Sequence, residues 1–332
     1  MKLGACVPIT QYQTLVDCGY QSIALAAKDV ALWSEAELSH AGKLLAHGPL
    51  EHISLNSFCP ALLRLHGAGY SYDAVLQFTR TVLERGNRLG FRYLGIGAPA
   101  SRNLLPGEDL VRAMEEFRQV IGDIYALAAQ YGMEILMESV CSVECNFITT
   151  TRQALRFVRE MRCKNLHLVY DIYHEFMERQ PVSVIDEAAD EIRVVHAAQN
   201  ANQKRAYLFP DQSEVFRPYW QALQKVGYGY RGRLRTLEAF NKPENTDLRE
   251  NMGAAAHLIH GSSDGRFSIA YAVKDITCEE IESVGFRSAS YDELAKKFDT
   301  EKLHYGCNTV DGEEIYYIPN PALGRWINRE KF

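Results

Sequence analysis

Four side chains able to ligate a metal stand at the ends of four short apolar runs. Glu138 closes Met133-Glu134-Ile135-Leu136-Met137-Glu138, and Asp171 closes Leu166-His167-Leu168-Val169-Tyr170-Asp171. His196 closes Ile192-Arg193-Val194-Val195-His196, and Glu238 closes Leu234-Arg235-Thr236-Leu237-Glu238. Three carboxylates and one imidazole form an oxygen-rich donor set that suits Mn²⁺, Mg²⁺ or Co²⁺ better than a thiolate-type zinc site. A single Glu at a strand end is usually solvated, and a single His there often only hydrogen-bonds backbone. Repetition at four matching positions is what points to a divalent-metal centre.

Such a centre needs elements that bring the four ends together. Helix-like sequence separates the runs, so they read as parallel strands with crossover helices, their carboxyl ends on one side of a sheet. Upstream, Leu3–Ile9, Ser22–Ala26, His52–Phe58 and Phe91–Gly97 read as four more strands. Between them, Trp33–Ala46 has helical spacing with a capping box at Ser34 and Glu37, and Tyr72–Leu89 reads as a long helix. In Glu108–Tyr131, Leu110, Met114, Phe117, Val120, Ile121, Ile124 and Leu127 recur at helical intervals. Eight strand–helix pairs over residues 1–260 predict an α/β fold, a (β/α)₈ TIM barrel whose strand ends share one face. A doubly wound open sheet is the competing architecture, but no G-x-G-x-x-G follows the first strand, and an open sheet would gather its site at one crevice.

Beyond the barrel, residues 261–332 read as an α+β extension. Arg266–Val273 is strand-like, Thr277–Glu280 and Ser290–Glu293 are capping boxes, and Val310-Asp311-Gly312-Glu313 is a hairpin turn. Ile315–Pro321 and Trp326 are too apolar for a solvated tail, and about 70 residues make a marginal independent core. The extension is therefore expected to pack on the barrel or on a partner subunit.

The net charge of −6 argues against a nucleic-acid backbone as the main partner. No apolar run approaches the roughly 20 residues needed to span a bilayer, so no membrane role is expected. Met1-Lys2-Leu3-Gly4-Ala5-Cys6-Val7-Pro8 lacks the apolar region of a signal peptide, and the eight cysteines are scattered as reduced thiols would be; both point to a cytoplasmic protein. Cys141 and Cys145, the closest pair, read as free thiols in or near a pocket.

The neighbours of the four end residues carry a further pattern. His174 follows in Asp171-Ile172-Tyr173-His174, Glu144 lies six residues after Glu138, and Asn200 lies downstream of His196. Together with Glu238 these resemble the xylose isomerase-like sugar isomerase/epimerase superfamily over roughly residues 1–260. That superfamily includes ketose 3-epimerases, hydroxypyruvate isomerase, inosose dehydratase and endonuclease IV.

The resemblance implies that Glu138, Asp171, His196 and Glu238 hold the metal, that Glu138 and Glu238 also act as an acid/base pair, and that His174 and Glu144 bind substrate oxygens. Two bland assignments stand beside it: His174 as a helix cap and Glu144 as a solvated loop carboxylate. Ketose epimerases carry an Arg close after the His of the seventh strand, whereas here Arg205 comes late, which puts its substrate role in doubt. Arg102, after the fourth strand, is a further candidate for a substrate oxygen.

The expected substrate is a small keto sugar, and the expected assembly is a homo-oligomer or a hetero-oligomer with a smaller second subunit. A lyase on the same scaffold is the alternative: an inosose-type dehydratase, or the α-subunit of a C-glycoside deglycosidase acting on 3-oxo-glycosides. An abasic-site endonuclease would need further His ligands and a basic surface. A non-catalytic barrel would be expected to lose ligands, and all four are present.

Overall fold

The structure is a computed structural model that describes residues 4–201, 204–206, 216–228, 234–239, 268–271, 306–310, 313–320 and 325–327, with side chains over 4–198 and 216–228. Seven parallel strands, each paired with the next, start the barrel: β1 (Gly4–Cys6), β2 (Ser22–Ala26), β3 (Glu51–Asn56), β4 (Tyr93–Ile96), β5 (Glu134–Glu138), β6 (Leu166–Asp171) and β7 (Ile192–Ala197). An antiparallel hairpin of β8 (Gln199–Ala201) and β9 (Lys204–Ala206) follows, and β10 (Leu234–Ala239) then pairs with β7. β11 (Ser268–Tyr271) lies parallel between β10 and β1 and closes the barrel.

The eight predicted strands are thus all present in barrel order. The strand read at Arg266–Val273 joins the same sheet as a ninth member. The three-residue β1 and the outer edge of β10 would otherwise be open edges, and β11 satisfies the backbone of both. β12 (Gly306–Val310), β13 (Glu313–Asn320) and β14 (Arg325–Ile327) form a separate antiparallel sheet. Val310 pairs with Glu313, as the predicted hairpin requires, while the capping boxes at Thr277 and Ser290 lie outside the described residues.

The crossovers are α1 (Tyr12–Asp17), α2 (Ala27–Leu32), α3 (Glu35–His47), α4 (Tyr72–Arg88), α5 (Pro99–Arg102), α6 (Leu110–Gln130), α7 (Thr151–Met161), α8 (Ile172–Met177), α9 (Val184–Ala188) and α10 (Arg217–Lys225). Local chemistry sets several boundaries. Ser34 and Glu37 exchange hydrogen bonds across the start of α3 as a capping box. Asp109 accepts the Arg112 amide at 2.8 Å, so α6 begins at Leu110 rather than Glu108. β3 stops at Asn56, before the predicted Phe58, because Ser57 turns into the left-handed region at φ 48°.

Two apolar layers hold the barrel. The larger packs strands against helices; α6, for example, buries Phe117, Val120, Ile121 and Ile124. The smaller fills the barrel interior with Ile53, Tyr93, Leu136, Val169 and Val194. Leu136, Val169 and Val194 each stand two residues before a predicted ligand: Glu138, Asp171 and His196. Alternate residues of a strand face the same way, so these ligands form the next inward layer above the plug. No helix among the described residues is long and apolar enough to cross a membrane.

Candidate metal centre at the carboxyl rim

Strand register brings three of the predicted ligands together. Asp171 pairs with His196 across β6 and β7, and Glu138 of β5 lies level with Val169, two residues earlier. The Nδ1–H of His196 donates to Glu138 Oε1 at 2.7 Å and lies 3.9 Å from Asp171 Oδ2. All three residues are buried, Glu138 least so at 8% exposure.

Asp171 divides its carboxylate between two tasks. Oδ1 caps α8, accepting the amides of Tyr173 at 2.8 Å and His174 at 3.4 Å, while Oδ2 faces the imidazoles of His174 and His196. Gly97 makes room for Glu138: a Cβ there would meet Glu138 Oε2 at 2.5 Å. Next to it Ala98 adopts a left-handed φ of 41°, strain at the loop that borders the rim.

His174 is buried, and its Nδ1 accepts the Cys141 amide N–H at 3.1 Å. That bond leaves the ring proton on Nε2, which lies 3.7 Å from Asp171 Oδ2 and can donate. His174 therefore belongs to the rim rather than serving as a helix cap, a task Asp171 performs. Glu144 sits on a turn with its amide bonded to the Cys141 carbonyl at 2.9 Å. Potential ligand atoms of Cys141, Glu144 and His174 lie within 4.8 Å of one another, as do those of Glu138, Asp171 and His174. His174 would have to release the Cys141 amide before ligating in either group. His196 presents Nδ1 to both carboxylates, and on ligating it would likewise exchange its hydrogen bond to Glu138 for the ion.

The donor chemistry fits a divalent cation. Two buried carboxylates converge with an imidazole between them, an arrangement that is unfavourable unless protons or a cation are shared among them. Glu138, Asp171 and His196 can supply such a site.

The other predicted residues are placed as follows. Glu238 is on β10, paired with Ala270, and its side chain lies outside the described residues. Asn200 and Arg205 face each other across the β8–β9 hairpin, and their side chains are likewise outside the described residues. Arg102 is fully buried in α5; it donates from Nε to Cys145 Sγ at 3.4 Å and from Nη2 to the Ile148 carbonyl at 3.3 Å. Its guanidinium is engaged by the segment after β5. The described cysteines, Cys141 and Cys145 among them, are not in disulfides.

One buried acid behind the rim escaped the sequence reading. Glu175 of α8 is fully buried, and desolvation pushes its carboxyl up to about 7 against the opposing hydrogen bonds from Thr151 and Ser139. The one available signal was its place immediately after His174.

Fold and site together define a closed parallel α/β barrel with a carboxylate–imidazole centre at the strand carboxyl ends. The xylose isomerase-like TIM barrel family profile matches residues 12–258, and the chain belongs to that family. A ketose 3-epimerase of Arthrobacter globiformis is 30% identical over 112 residues, a stretch that spans 33% of this chain and only 37% of that protein.

Among solved structures, apo 3-keto-D-glucoside 4-epimerase from E. coli superposes with a TM-score of 0.64 at 15% identity, covering 78% of this chain and 98% of that one. D-allulose 3-epimerase from Methylomonas sp., in complex with D-allulose, gives 0.65 at 20% identity, covering 78% and 96%. At these identities the structural likeness is one of fold.

Proposed function

We propose that the protein is a divalent-metal-dependent sugar isomerase or epimerase that moves a proton at the carbon next to the carbonyl of a keto sugar. The observation that carries this reading is the convergence of Glu138, Asp171 and His196 on one buried rim. With Glu238 as the fourth ligand, these residues would hold Mn²⁺, Mg²⁺ or Co²⁺. When bound, such an ion polarises a carbonyl and acidifies the adjacent C–H.

The protein side chains then divide the work. Glu138 is one acid/base group, held on the inner face by β5 and given room by Gly97; Glu238 is the other, from β10. His174 donates from Nε2 to a substrate oxygen, its tautomer held by the Cys141 amide. Glu144 accepts from a substrate hydroxyl. Asn200 and Arg205, on the hairpin after the His196 strand, complete the substrate contacts, and Arg102 supports the loop that carries Glu144.

A second reading has its own motivating observation. The family match ends at residue 258, and a three-stranded sheet follows at Gly306–Ile327. That extra sheet suits a partner interface, as in a lyase that acts on 3-oxo-glycosides with a smaller second subunit.

One experiment tests both readings: incubation with a panel of ketoses and 3-oxo-glucosides in D₂O, with and without Mn²⁺, followed by NMR. Deuterium next to the carbonyl of an intact sugar, dependent on Mn²⁺, is the expected result. Loss of a substituent would establish the lyase, and exchange indifferent to a chelator would refute the metal reading.

A further inference from the structure

The proposed chemistry leaves the buried carboxylate of Glu175 without a role. Its Oε1 accepts the Thr151 amide at 2.9 Å and the Ser139 hydroxyl at 3.4 Å, and the Ser139 and Thr151 hydroxyl oxygens lie 3.3 Å apart. Ser139 and Thr151 are themselves buried. A carboxylate removed from water is unfavourable unless hydrogen-bonded, so these contacts hold Glu175 in one place.

They also join three segments. Ser139 directly follows Glu138, Thr151 opens α7, and Glu175 lies one turn along α8 from Asp171 and next to His174. α8 is only six residues long, too short to hold its own position by helix propensity. Asp171 fastens its first turn, and Glu175 fastens its body to the end of β5. The distance between the Glu138 and Asp171 carboxylates is therefore set from behind the rim as well as by strand register.

We infer that Glu175 is a positioning residue which, through Ser139 and the first amide of α7, holds Glu138, Asp171 and His174 at the spacing a divalent cation requires. The inference rests on the metal reading of the rim. Donor distances at such sites hold to about 0.2 Å, so even a small drift of α8 would matter. Glu175 itself touches neither substrate nor ion.

The test compares the full-length wild type with E175A, E175Q and S139A. One readout is Mn²⁺ affinity, followed through the EPR signal of free Mn²⁺; the other is the imidazole NMR resonances of His174 and His196 in metal-free protein. E175A should bind Mn²⁺ about 10–100-fold more weakly, the scale of lost outer-shell support, and its imidazole signals should move. E175Q keeps the Oε1 acceptor and the volume, so it should restore both. S139A, which removes one hydrogen bond, should fall between.

Wild-type affinity and unmoved imidazole signals in folded E175A would overturn the inference, as would an E175Q as impaired as E175A. If E175A does not fold, S139A decides: weakened Mn²⁺ binding supports positioning, and unchanged binding refutes it. If the wild type binds no Mn²⁺, the metal reading fails, and the imidazole signals alone judge Glu175: movement in E175A but not in E175Q supports a positioning role, and no movement refutes it.

Discussion

The strands β5, β6 and β7 carry ionisable side chains at both ends, and the two ends are neutralised by different means. At the amino-terminal floor, Glu134 Oε1 accepts from Arg92 Nε at 3.1 Å and Nη2 at 2.8 Å. His167 donates from Nδ1 to Glu191 at 3.1 Å and accepts from Arg193 Nη2, also at 3.1 Å, on Nε2. Carboxylates there alternate with guanidinium groups of the chain itself. At the carboxyl rim, the described ion-pairing groups around Glu138 and Asp171 are the imidazoles of His174 and His196. Imidazoles are charged only when protonated, so the rim's balance depends on what binds there. The floor is neutralised by cations of the chain itself, and the rim is where the proposed ion would supply the balance.

The sharpest way to break this contrast is to neutralise the rim. Asp171→Asn and Glu138→Gln should each weaken Mn²⁺ binding by more than about 100-fold, exceeding the loss of an outer-shell partner, as measured by calorimetry. The metal-free unfolding midpoint should stay level or rise, because two converging buried carboxylates no longer oppose one another. A large loss of apo stability with Mn²⁺ affinity intact would reverse the assignment of the two ends. Gly97→Ala should have the next effect: the new methyl intrudes to 2.5 Å on Glu138 Oε2, so Glu138 must shift. About a tenfold loss of Mn²⁺ affinity with unchanged circular dichroism is expected, comparable to the lower end of outer-shell effects.

Much of this contrast is legible in the sequence, because strand ends carry it. Glu138, Asp171 and His196 close apolar runs whose period of two places them one layer above Leu136, Val169 and Val194. What cannot be read is anything set by distant partners. Arg102 looks like a rim residue, yet its guanidinium meets Cys145 and Ile148, 43 and 46 positions away. Glu175 sits on a helix of six residues, too short for periodicity to separate a buried face from a solvated one. β11 is a four-residue run, and nothing in Ser268-Ile269-Ala270-Tyr271 says which sheet it joins. The side chains of Glu238, Asn200 and Arg205 lie outside the described residues, so their roles rest on sequence spacing and family resemblance.

Changes at the floor should touch stability and leave the rim alone. Glu134→Gln removes the negative charge paired with Arg92, itself 64% exposed, so the loss should be about 1 kcal/mol or less in urea unfolding. Mn²⁺ affinity should not change; a metal-binding defect in this variant would mean that the two ends are coupled through the strands.

The smallest expected effect is at His167, whose pKa is lowered by burial first and by Arg193 second. A histidine with a folded-state pKa below its unfolded value of 6.5 binds fewer protons folded than unfolded in the window between the two. Its neutral form therefore contributes stability that is fully present above 6.5 and is lost as the pH falls through the folded value. His167→Gln should flatten the fall in stability below pH 6.5 and change little at higher pH, as seen in urea unfolding midpoints across that range. A wild-type-like acid limb in the variant would clear His167 and assign the limb to other groups, His52 and His66 first, whose pKa values burial also lowers.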